Sequence, residues 1–296
     1  MKCGFYAGFL AFLMLIYKLL MRGKNMAVKK TKNTSKKRNV NSANGIKNVN
    51  IPIIAIVIAV AVSLICSVVI ISNNRREPMT VYDFGKKVAQ GIDVSEHNGK
   101  IDWKKVASSQ DFAFIRVGYR GYGNGDLVKD KKCDANLKGA SDAKIPFGVY
   151  FYTQATDKKE AEREADFVYD IVKKYDVKLP IIIDFEYPVD RDGNAVGRLY
   201  NANNTPKENS KIINAFCSRL EKKGYITGVY ASSYMLDNYI STNKLGDNTV
   251  IWVADYNKSV TYSGRYDIWQ YSEKGKCDGV SSKYTDLNYW YQGDTE

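Results

Sequence analysis

Residues 180–186 read PIIIDFE. Three consecutive isoleucines form a continuous apolar run, which is typical of a strand buried on both faces in a parallel sheet. Asp184 and Glu186 close this run and are two residues apart. Because side chains alternate between the faces of a strand, these two carboxyl groups are predicted to point the same way.

Seven further runs of similar length occupy the chain between residues 91 and 290, and most of them are continuous rather than alternating. Continuous runs indicate strands that are covered on both faces. The runs are GIDVS (91–95), FAFIRV (112–117), PFGVYFYT (146–153), YITGVYAS (225–232), TVIWVAD (249–255), YDIWQYS (266–272) and YTDLNYW (284–290).

Amphipathic segments separate most of these runs and predict five helices. One begins at Asp157, with Glu160 three positions on, and another at Thr205, where TPKE forms a capping box with proline at the first helical position. The other three are predicted near 101–109, 130–143 and 233–242. The connections that follow the runs ending at Asp255 and Ser272 are too short and polar for helices.

Eight strands and about five helices in this order predict an α/β fold, an irregular TIM-like β/α barrel whose last part lacks helices. Chemistry in such barrels takes place where strands end and loops begin. The polar and aromatic residues near the ends of the runs are therefore candidate site residues. They are Asp93, Arg116, Tyr152, Asp184, Glu186, Tyr230, Asp255, Gln270 and Asp286.

The net charge of +12 is concentrated at the N-terminus, since residues 1–72 hold 11 Lys or Arg and no acid. The remainder is nearly neutral, which argues against a nucleic-acid-binding surface on the folded part. Residues 51–71, IPIIAIVIAVAVSLICSVVII, are uncharged and long enough to cross a bilayer as a helix. The basic stretch before this segment places residues 1–50 in the cytoplasm by the positive-inside rule.

This pattern predicts a basic tail (1–50), a membrane helix (51–72), a stalk (73–90) and a catalytic domain (91–292) outside the cell membrane. An earlier apolar run, residues 5–20, is interrupted by Lys18. It is either a second span, which gives a two-pass protein, or sequence upstream of the true start. Both interpretations leave the C-terminal domain unchanged.

Two carboxyl groups that point together at a barrel mouth repel each other, and with burial this raises a pKa. A carboxyl group that stays protonated near neutral pH suits protonation of a glycosidic oxygen. A metal is the alternative, because Asp93, Asp184, Glu186 and Asp286 offer oxygen ligands for Mg²⁺ or Ca²⁺. The nearby aromatic residues favour a sugar instead, and we expect no metal and no cofactor. These aromatic residues are Tyr122, Tyr152, Tyr230, Trp252, Tyr256, Trp269 and Tyr271.

Eight ordered segments of residues 91–291 resemble family 25 of the glycoside hydrolases, the Chalaropsis-type lysozymes. The resemblance implies an irregular β/α barrel that cleaves the β-1,4 bond between N-acetylmuramic acid and N-acetylglucosamine in peptidoglycan. The segments are GIDVSEHNGKIDW (91–103), FAFIRVGYRGYG (112–123), PFGVYFYTQA (146–155), PIIIDFE (180–186), GVYAS (228–232), WVADY (252–256), DIWQYS (267–272) and TDLNYW (285–290).

The resemblance also implies roles for single residues. Glu186 matches the family's general acid, and Asp184 matches the second acid, which either orients the acetamido group or stabilises charge at the anomeric carbon. Asp93 and Asp286 match the remaining acids of the pocket. The predicted substrate-binding residues are Tyr152, Trp252, Tyr230, Tyr256, Trp269, Gln270, Arg116 and His97.

Two of these assignments have separate motivations. His97 fits the family pattern loosely, in the sequence Glu96-His97-Asn98, and is interpreted as either a sugar contact or a solvated turn residue. Arg116 is expected to pair with an acid of the pocket, since a buried guanidinium at a strand end needs a partner.

The sequence therefore favours a membrane-tethered lysozyme that acts on peptidoglycan. Two alternatives stay open: a non-catalytic peptidoglycan-binding module that uses the same groove, and a chitinase-like glycosidase. The longer acidic run expected before a chitinase D-x-E is absent, because positions 181–183 are isoleucines. The sequence does not identify a protein partner.

Overall fold

A computed structural model describes residues 81–292, together with Val62. The predicted cytoplasmic tail (1–50), the first apolar run (5–20), the predicted membrane helix (51–72) apart from Val62, and residues 73–80 of the predicted stalk lie outside the described residues. Among the helices that are described, none has the length and hydrophobicity that crossing a membrane requires.

Nine strands of residues 81–292 form one sheet, in the order β1-β9-β8-β7-β6-β5-β4-β2-β3. A further pairing of β1 with β2 closes eight of them into a barrel, and β3 extends from β2 outside it. The eight predicted strands are thereby confirmed. The strands are β1 (Val88–Val94), β2 (Phe112–Arg120), β3 (Leu127–Lys129), β4 (Phe147–Tyr152), β5 (Ile181–Asp184), β6 (Thr227–Ser232), β7 (Val250–Ala254), β8 (Ile268–Gly275) and β9 (Thr285–Tyr291).

Strand β9 runs antiparallel to both of its neighbours, β8 and β1, whereas the other neighbouring pairs within the barrel are parallel. Residues 276–284 are too few for the crossover that a parallel connection needs, so the chain turns back directly. As a result, β9 begins at the rim where the parallel strands end. Asp286 reaches that rim from the start of its strand, not from the end.

Six α-helices and two 3₁₀ turns (Glu96–Asn98 and Thr242–Lys244) accompany the strands in this part of the chain. The five predicted helices are confirmed, and the additional one is the single turn α4. As predicted, the connections from β7 to β8 and from β8 to β9 contain no helix. The helices are α1 (Trp103–Ser109), α2 (Cys133–Asp142), α3 (Lys158–Val172), α4 (Arg198–Asn201), α5 (Pro206–Glu221) and α6 (Ser233–Asn238).

The two long helices begin at the predicted caps. The side chain of Asp157 accepts the backbone N–H of Glu160 at 2.9 Å, which satisfies one free donor at the start of α3. Thr205 and Glu208 form the reciprocal capping box at the start of α5. Local sequence alone therefore fixes where both helices start.

The interior of the barrel is filled by aromatic and aliphatic side chains up to its carboxyl-terminal rim. Ile181 and Ile183 pack in the layer between β5 and the helices, whereas Ile182 packs inside the barrel. Inside the barrel, the rings of Phe114 and Trp252 lie 4.6 Å apart. This alternation sends Asp184, the last residue of β5, to the mouth of the barrel, and Glu186, two residues further on, also lies there.

The amino-terminal end of the barrel is closed by residues that the sequence interpretation assigned to the stalk. The Phe84 ring lies 5.6 Å from that of Phe112 and 5.5 Å from that of Trp290. Its backbone N–H donates to the Gln292 side chain at 3.3 Å. Strand β1 also starts at Val88 rather than at Gly91. The described part of the predicted stalk, residues 81–90, therefore belongs to the folded domain.

Candidate active site

A cavity of about 410 Å³ opens at the carboxyl-terminal rim of the barrel. All four predicted acids line it, as do seven of the eight predicted substrate-binding residues. Ser95, Asn98, Tyr150 and Glu273 also line the cavity and were not predicted. The predicted residues in its wall are Asp93, Asp184, Glu186, Asp286, His97, Arg116, Tyr152, Tyr230, Trp252, Tyr256 and Gln270.

Asp184, at the end of β5, and Glu186, two residues beyond it, both enter the cavity, as the predicted alternation requires. Asp184 is buried, and its Oδ1 atom has no hydrogen-bond partner among the described residues. Burial, followed by the charges of Glu186 and Asp93, raises the pKa of Asp184 well above its usual range, and Arg116 opposes this. Glu186 is partly exposed. Burial of its carboxyl group and the charge of Asp93 raise the pKa of Glu186 to about 7.

Asp93 is the most firmly held of the four acids. Its Oδ2 atom accepts the side-chain N–H groups of Gln270 at 2.9 Å and Asn288 at 2.8 Å. Burial raises the pKa of Asp93 to about 6, while these two hydrogen bonds act in the opposite direction. Asn288 was not among the predicted site residues.

The two amides that hold Asp93 are themselves fixed by aromatic side chains. The Asn288 Oδ1 atom accepts the indole N–H of Trp252 at 2.9 Å. The Gln270 Oε1 atom accepts the hydroxyl groups of Tyr230 at 2.9 Å and Tyr256 at 2.7 Å. Because both amide oxygens are occupied by donors, both amide N–H groups face Asp93.

The aromatic residues of the cavity differ in what they present to a ligand. Trp252 and Tyr230 are almost completely buried and form the floor. Tyr256 is 50% exposed and stands at the mouth. Tyr152 is partly exposed beside Asp184, its register partner on β5. Tyr256 and Tyr152 therefore offer ring surface to a sugar, whereas the floor residues chiefly orient the polar groups.

Asp286 lies opposite Asp93 in the β1–β9 ladder and is the fourth acid of the cavity, after Asp93, Asp184 and Glu186. Burial is the main cause that raises the pKa of Asp286 to about 8, and the charges of Asp93, Glu273 and Glu186 add to it. Glu273 is exposed on β8 at the edge of the cavity. At neutral pH the site therefore carries fewer negative charges than carboxyl groups.

Arg116 lines the cavity, but the expectation that it pairs with one of the four acids is wrong. Its Nε atom donates to Asp130 at 2.8 Å, and its Nη2 atom lies 3.3 Å from a Glu96 carboxylate oxygen. The Asp130 side chain is fully buried, so it needs a cationic partner. His97 also lines the cavity, with Nε2 3.4 Å from the Arg116 Nη2 atom.

Trp269, the eighth predicted substrate-binding residue, does not line the cavity. Its indole N–H donates to the backbone carbonyl of Asp255 at 2.7 Å, and its ring packs 5.9 Å from that of Tyr271 and 6.2 Å from that of Tyr289. The reason is alternation along β8: Gln270 points inward, so its neighbours on either side point outward.

Gln154 is a further residue that sequence reasoning missed. It is fully buried in the loop after β4, and its Nε2 atom donates to the backbone carbonyl of Glu186 at 3.1 Å. Its Oε1 atom accepts the backbone N–H of Leu199 at 3.2 Å. The side chain thus ties the segment that carries Glu186 to α4. Its position two residues after the end of β4 was the available signal.

The metal alternative requires several acidic side chains that converge on one point. Across residues 81–292, no group of three or more His, Cys, Asp or Glu side chains is arranged to hold a metal ion. Asp93 instead accepts N–H groups from two neutral amides. The arrangement of the site is that of a set of interacting carboxylic acids.

Carboxyl groups with unequal pKa values, in a cavity with aromatic walls at the mouth of a β/α barrel, are an arrangement that suits a glycoside hydrolase. The family described as "Glycosyl hydrolases family 25" matches residues 92–280, and the chain belongs to that family. The family resemblance drawn from the eight sequence segments is thereby confirmed.

Similar proteins of this family include a curated lysozyme. The chain is 27% identical over 202 residues to Lysozyme M1 of Streptomyces globisporus, an alignment that covers 65% of this chain and 64% of that protein. The chain therefore spans less than two thirds of the length of this relative.

Several solved structures are similar as well, including an autolysin and a lysozyme. The modular autolysin LytC of Streptococcus pneumoniae, solved in complex with a synthetic peptidoglycan ligand, is 28% identical with a TM-score of 0.59, over 69% of this chain and 47% of LytC. The bacterial lysozyme of Streptomyces coelicolor is 25% identical with a TM-score of 0.56, over 70% of this chain and 93% of that lysozyme. The chain thus spans about half of LytC.

Proposed function

We propose that the domain is a lysozyme that hydrolyses the β-1,4 bond between N-acetylmuramic acid and N-acetylglucosamine in peptidoglycan. The observation that carries this proposal is the convergence of Asp93, Asp184, Glu186 and Asp286 in one cavity. Family membership and the similarity to a lysozyme and to a peptidoglycan-bound autolysin support the choice of substrate.

Glu186 is the general acid in this proposal. It is less enclosed than Asp184, and a pKa of about 7 keeps a large share of it protonated at neutral pH. Protonation of the glycosidic oxygen lowers the barrier to departure of the leaving sugar. After the bond breaks, the same carboxylate takes a proton from the attacking water.

Asp184 is the partner of the substrate's acetamido group in this proposal. Its buried Oδ1 atom has no hydrogen-bond partner among the described residues, so a polar group of a bound ligand satisfies it. An acetamido group held there is oriented toward the anomeric carbon. Asp93, fixed by Gln270 and Asn288, supplies the negative charge that keeps the pKa values of its neighbours high.

We further propose that residues 51–72 anchor the chain in the cell membrane by one helix, with residues 1–50 in the cytoplasm and the catalytic domain outside. The uncharged run 51–71 and the basic residues before it support this arrangement. A domain outside the membrane faces peptidoglycan, which is the substrate proposed for it.

Product analysis tests the proposed reaction. The full-length chain, purified in detergent, is incubated with insoluble peptidoglycan, and the released fragments are identified by mass spectrometry. Muramic acid at the new reducing ends supports the proposal, whereas glucosamine at those ends assigns the cut to the other bond. Sedimentation with the wall without any fragment indicates the non-catalytic binding module. Faster cleavage of chitin oligomers than of peptidoglycan indicates the chitinase-like alternative.

Protease protection tests the proposed topology. Proteinase added to intact spheroplasts should degrade the domain 81–292 and leave a short membrane-bound fragment that contains residues 1–50. Survival of the domain in intact spheroplasts, with degradation only after lysis, would contradict the proposed orientation.

A further inference from the structure

Exposed tyrosines of residues 81–292 are confined to one end of the barrel. Five tyrosines are between 42% and 65% exposed, and each lies on a segment that follows a parallel strand or precedes β9. All five therefore surround the rim that carries the candidate active site. They are Tyr122, Tyr200, Tyr234, Tyr256 and Tyr284.

One group of aromatic rings on this rim encloses a second cavity, of about 370 Å³. Tyr187 is at its centre, with its ring 5.3 Å from that of Tyr200 and 5.2 Å from that of Tyr239, both nearly edge-to-face. We call this cavity the tyrosine–asparagine pocket. It is lined by Tyr187, Tyr200, Asn201, Asn203, Asn204 and Tyr239.

The tyrosine–asparagine pocket is adjacent to the candidate active site along the chain. Glu186 lines the first cavity and the next residue, Tyr187, lines the second. The two cavities therefore border the same backbone segment. A polymer bound across the rim meets both.

The three asparagines of the pocket differ in their side-chain hydrogen bonds. The Asn204 side chain donates to the backbone carbonyl of Thr156 at 3.2 Å, whereas the Asn201 and Asn203 side chains make no hydrogen bond to the described residues. Asn201 and Asn203 are exposed. Each offers one acceptor and two N–H donors beside aromatic rings. Amides and aromatic faces together match the hydroxyl, acetamido and apolar faces of an N-acetylhexosamine.

We propose that the tyrosine–asparagine pocket is a second saccharide-binding site, which holds an N-acetylhexosamine unit of the glycan strand at a distance from the bond that is cut. This inference rests on the proposed function for the identity of the polymer. It assigns the rim tyrosines to the binding of long strands. A short oligosaccharide occupies only the first cavity and does not use the pocket.

The first test compares long and short substrates with the full-length chain. Tyr200→Ala should raise KM on long, peptide-free glycan strands and lower kcat/KM by roughly threefold to tenfold, the range of one aromatic contact. The kcat/KM for a tetrasaccharide should not change. Tyr200→Phe, which keeps the ring, should retain most of the wild-type value. Tyr266→Ala is the control, because Tyr266 is partly exposed beside Tyr291 at the other end of the barrel.

Asn203→Gly isolates the contribution of an amide. Asn203 has a φ of 48°, which glycine adopts without strain, so this variant removes the amide and preserves the backbone. It should lower kcat/KM on long strands and not on the tetrasaccharide. An equal loss on both substrates, or no loss on long strands with either Tyr200→Ala or Asn203→Gly, would overturn the proposal.

A binding measurement separates this proposal from the proposed reaction. The affinity of the full-length chain for a hexamer of N-acetylglucosamine is measured by calorimetry, with and without Tyr200→Ala. A threefold or larger loss of affinity supports the pocket even if the wild-type chain hydrolyses no peptidoglycan. Unchanged affinity refutes the pocket even if hydrolysis is observed.

Discussion

Asp93 on β1 lies directly opposite Asp286 on β9 in the antiparallel ladder. Directly opposite residues share a face of the sheet, and both of these side chains line the same cavity. Like charges in this position repel each other. Burial and the neighbouring charges raise the pKa of Asp286 to about 8, so the fold keeps this acid protonated at neutral pH.

This arrangement makes Asp286 a source of pH-dependent instability. Its pKa is higher in the folded state than in the unfolded chain, so the folded state binds more protons between about pH 4 and pH 8. The contribution of protonated Asp286 to the free energy of unfolding is complete below about pH 4 and is lost as the pH rises toward 8. Asp286→Asn should therefore raise the free energy of unfolding at pH 8, by about 1–2 kcal/mol after allowance for partial exposure.

Denaturant unfolding at pH 5 and pH 8 checks this prediction. The difference between the two pH values should be smaller in Asp286→Asn than in the wild type. Asp237→Asn, an exposed aspartate on α6, is the matched control and should leave the difference unchanged. A variant that is less stable than the wild type at pH 8 would show that the ionised form of Asp286 stabilises the fold.

The charge of Asp93 is predicted to set the alkaline limit of activity. Burial and Asp93 together raise the pKa of Glu186 to about 7, so activity should fall as the pH rises through this value. Asp93→Asn removes a neighbouring negative charge and should lower the pKa of Glu186. The descending limb of the kcat/KM profile should then move to lower pH. A limb that stays in place or moves to higher pH would show that the charge of Asp93 does not raise the pKa of Glu186.

Gln154 is predicted to position Glu186 through the backbone. Gln154→Met preserves the size of the side chain but removes the N–H that reaches the Glu186 carbonyl. We expect kcat to fall by roughly threefold to tenfold, the value of one hydrogen bond, with KM nearly unchanged. A purely structural role would lower the unfolding temperature and leave kcat of the folded protein unaltered. Steady-state kinetics together with thermal unfolding separates the two outcomes.

Two aromatic residues are predicted to differ in their effect on catalysis. Tyr256→Phe removes the hydroxyl that donates to Gln270, which in turn holds Asp93, and should lower kcat/KM by roughly threefold to tenfold. Trp269→Phe alters the outer face of β8 and should change kcat/KM by less than roughly twofold. Kinetics on one soluble peptidoglycan fragment compares them. A larger effect at Trp269 than at Tyr256 would place the substrate on the outer face of the barrel.

Most of the barrel and of its acid cluster was predictable because the signals are local. The run of three isoleucines identifies a strand buried on both faces, and alternation then aligns Asp184 with Glu186. The caps at Asp157 and Thr205 depend on residues three positions away. The family resemblance identified Asp93 and Asp286 as further acids of the pocket.

The remaining features depend on contacts between distant residues. The short connection before β9 favours an antiparallel strand, but nothing in the sequence of β9 fixes its register with β1. The pairing of Arg116 with Asp130 depends on the loop before α2 returning to β2. Phe84 was assigned to a stalk because its packing against Phe112 depends on a contact between distant parts of the chain. The prediction that Trp269 binds substrate conflicted with the prediction for Gln270. Neighbouring residues of a strand do not share a face, so only one of the two faces the cavity.

The most direct test of the proposed mechanism is to remove the titratable proton of Glu186. Glu186→Gln in the full-length chain keeps the shape of the side chain and eliminates its titration, and release of new reducing ends from peptidoglycan is then measured. Glu162→Gln, an exposed position on α3, is the matched control. We predict loss of activity to background in Glu186→Gln, with unchanged binding to peptidoglycan and full activity in the control. Wild-type activity in Glu186→Gln would contradict the assignment of Glu186 as the general acid.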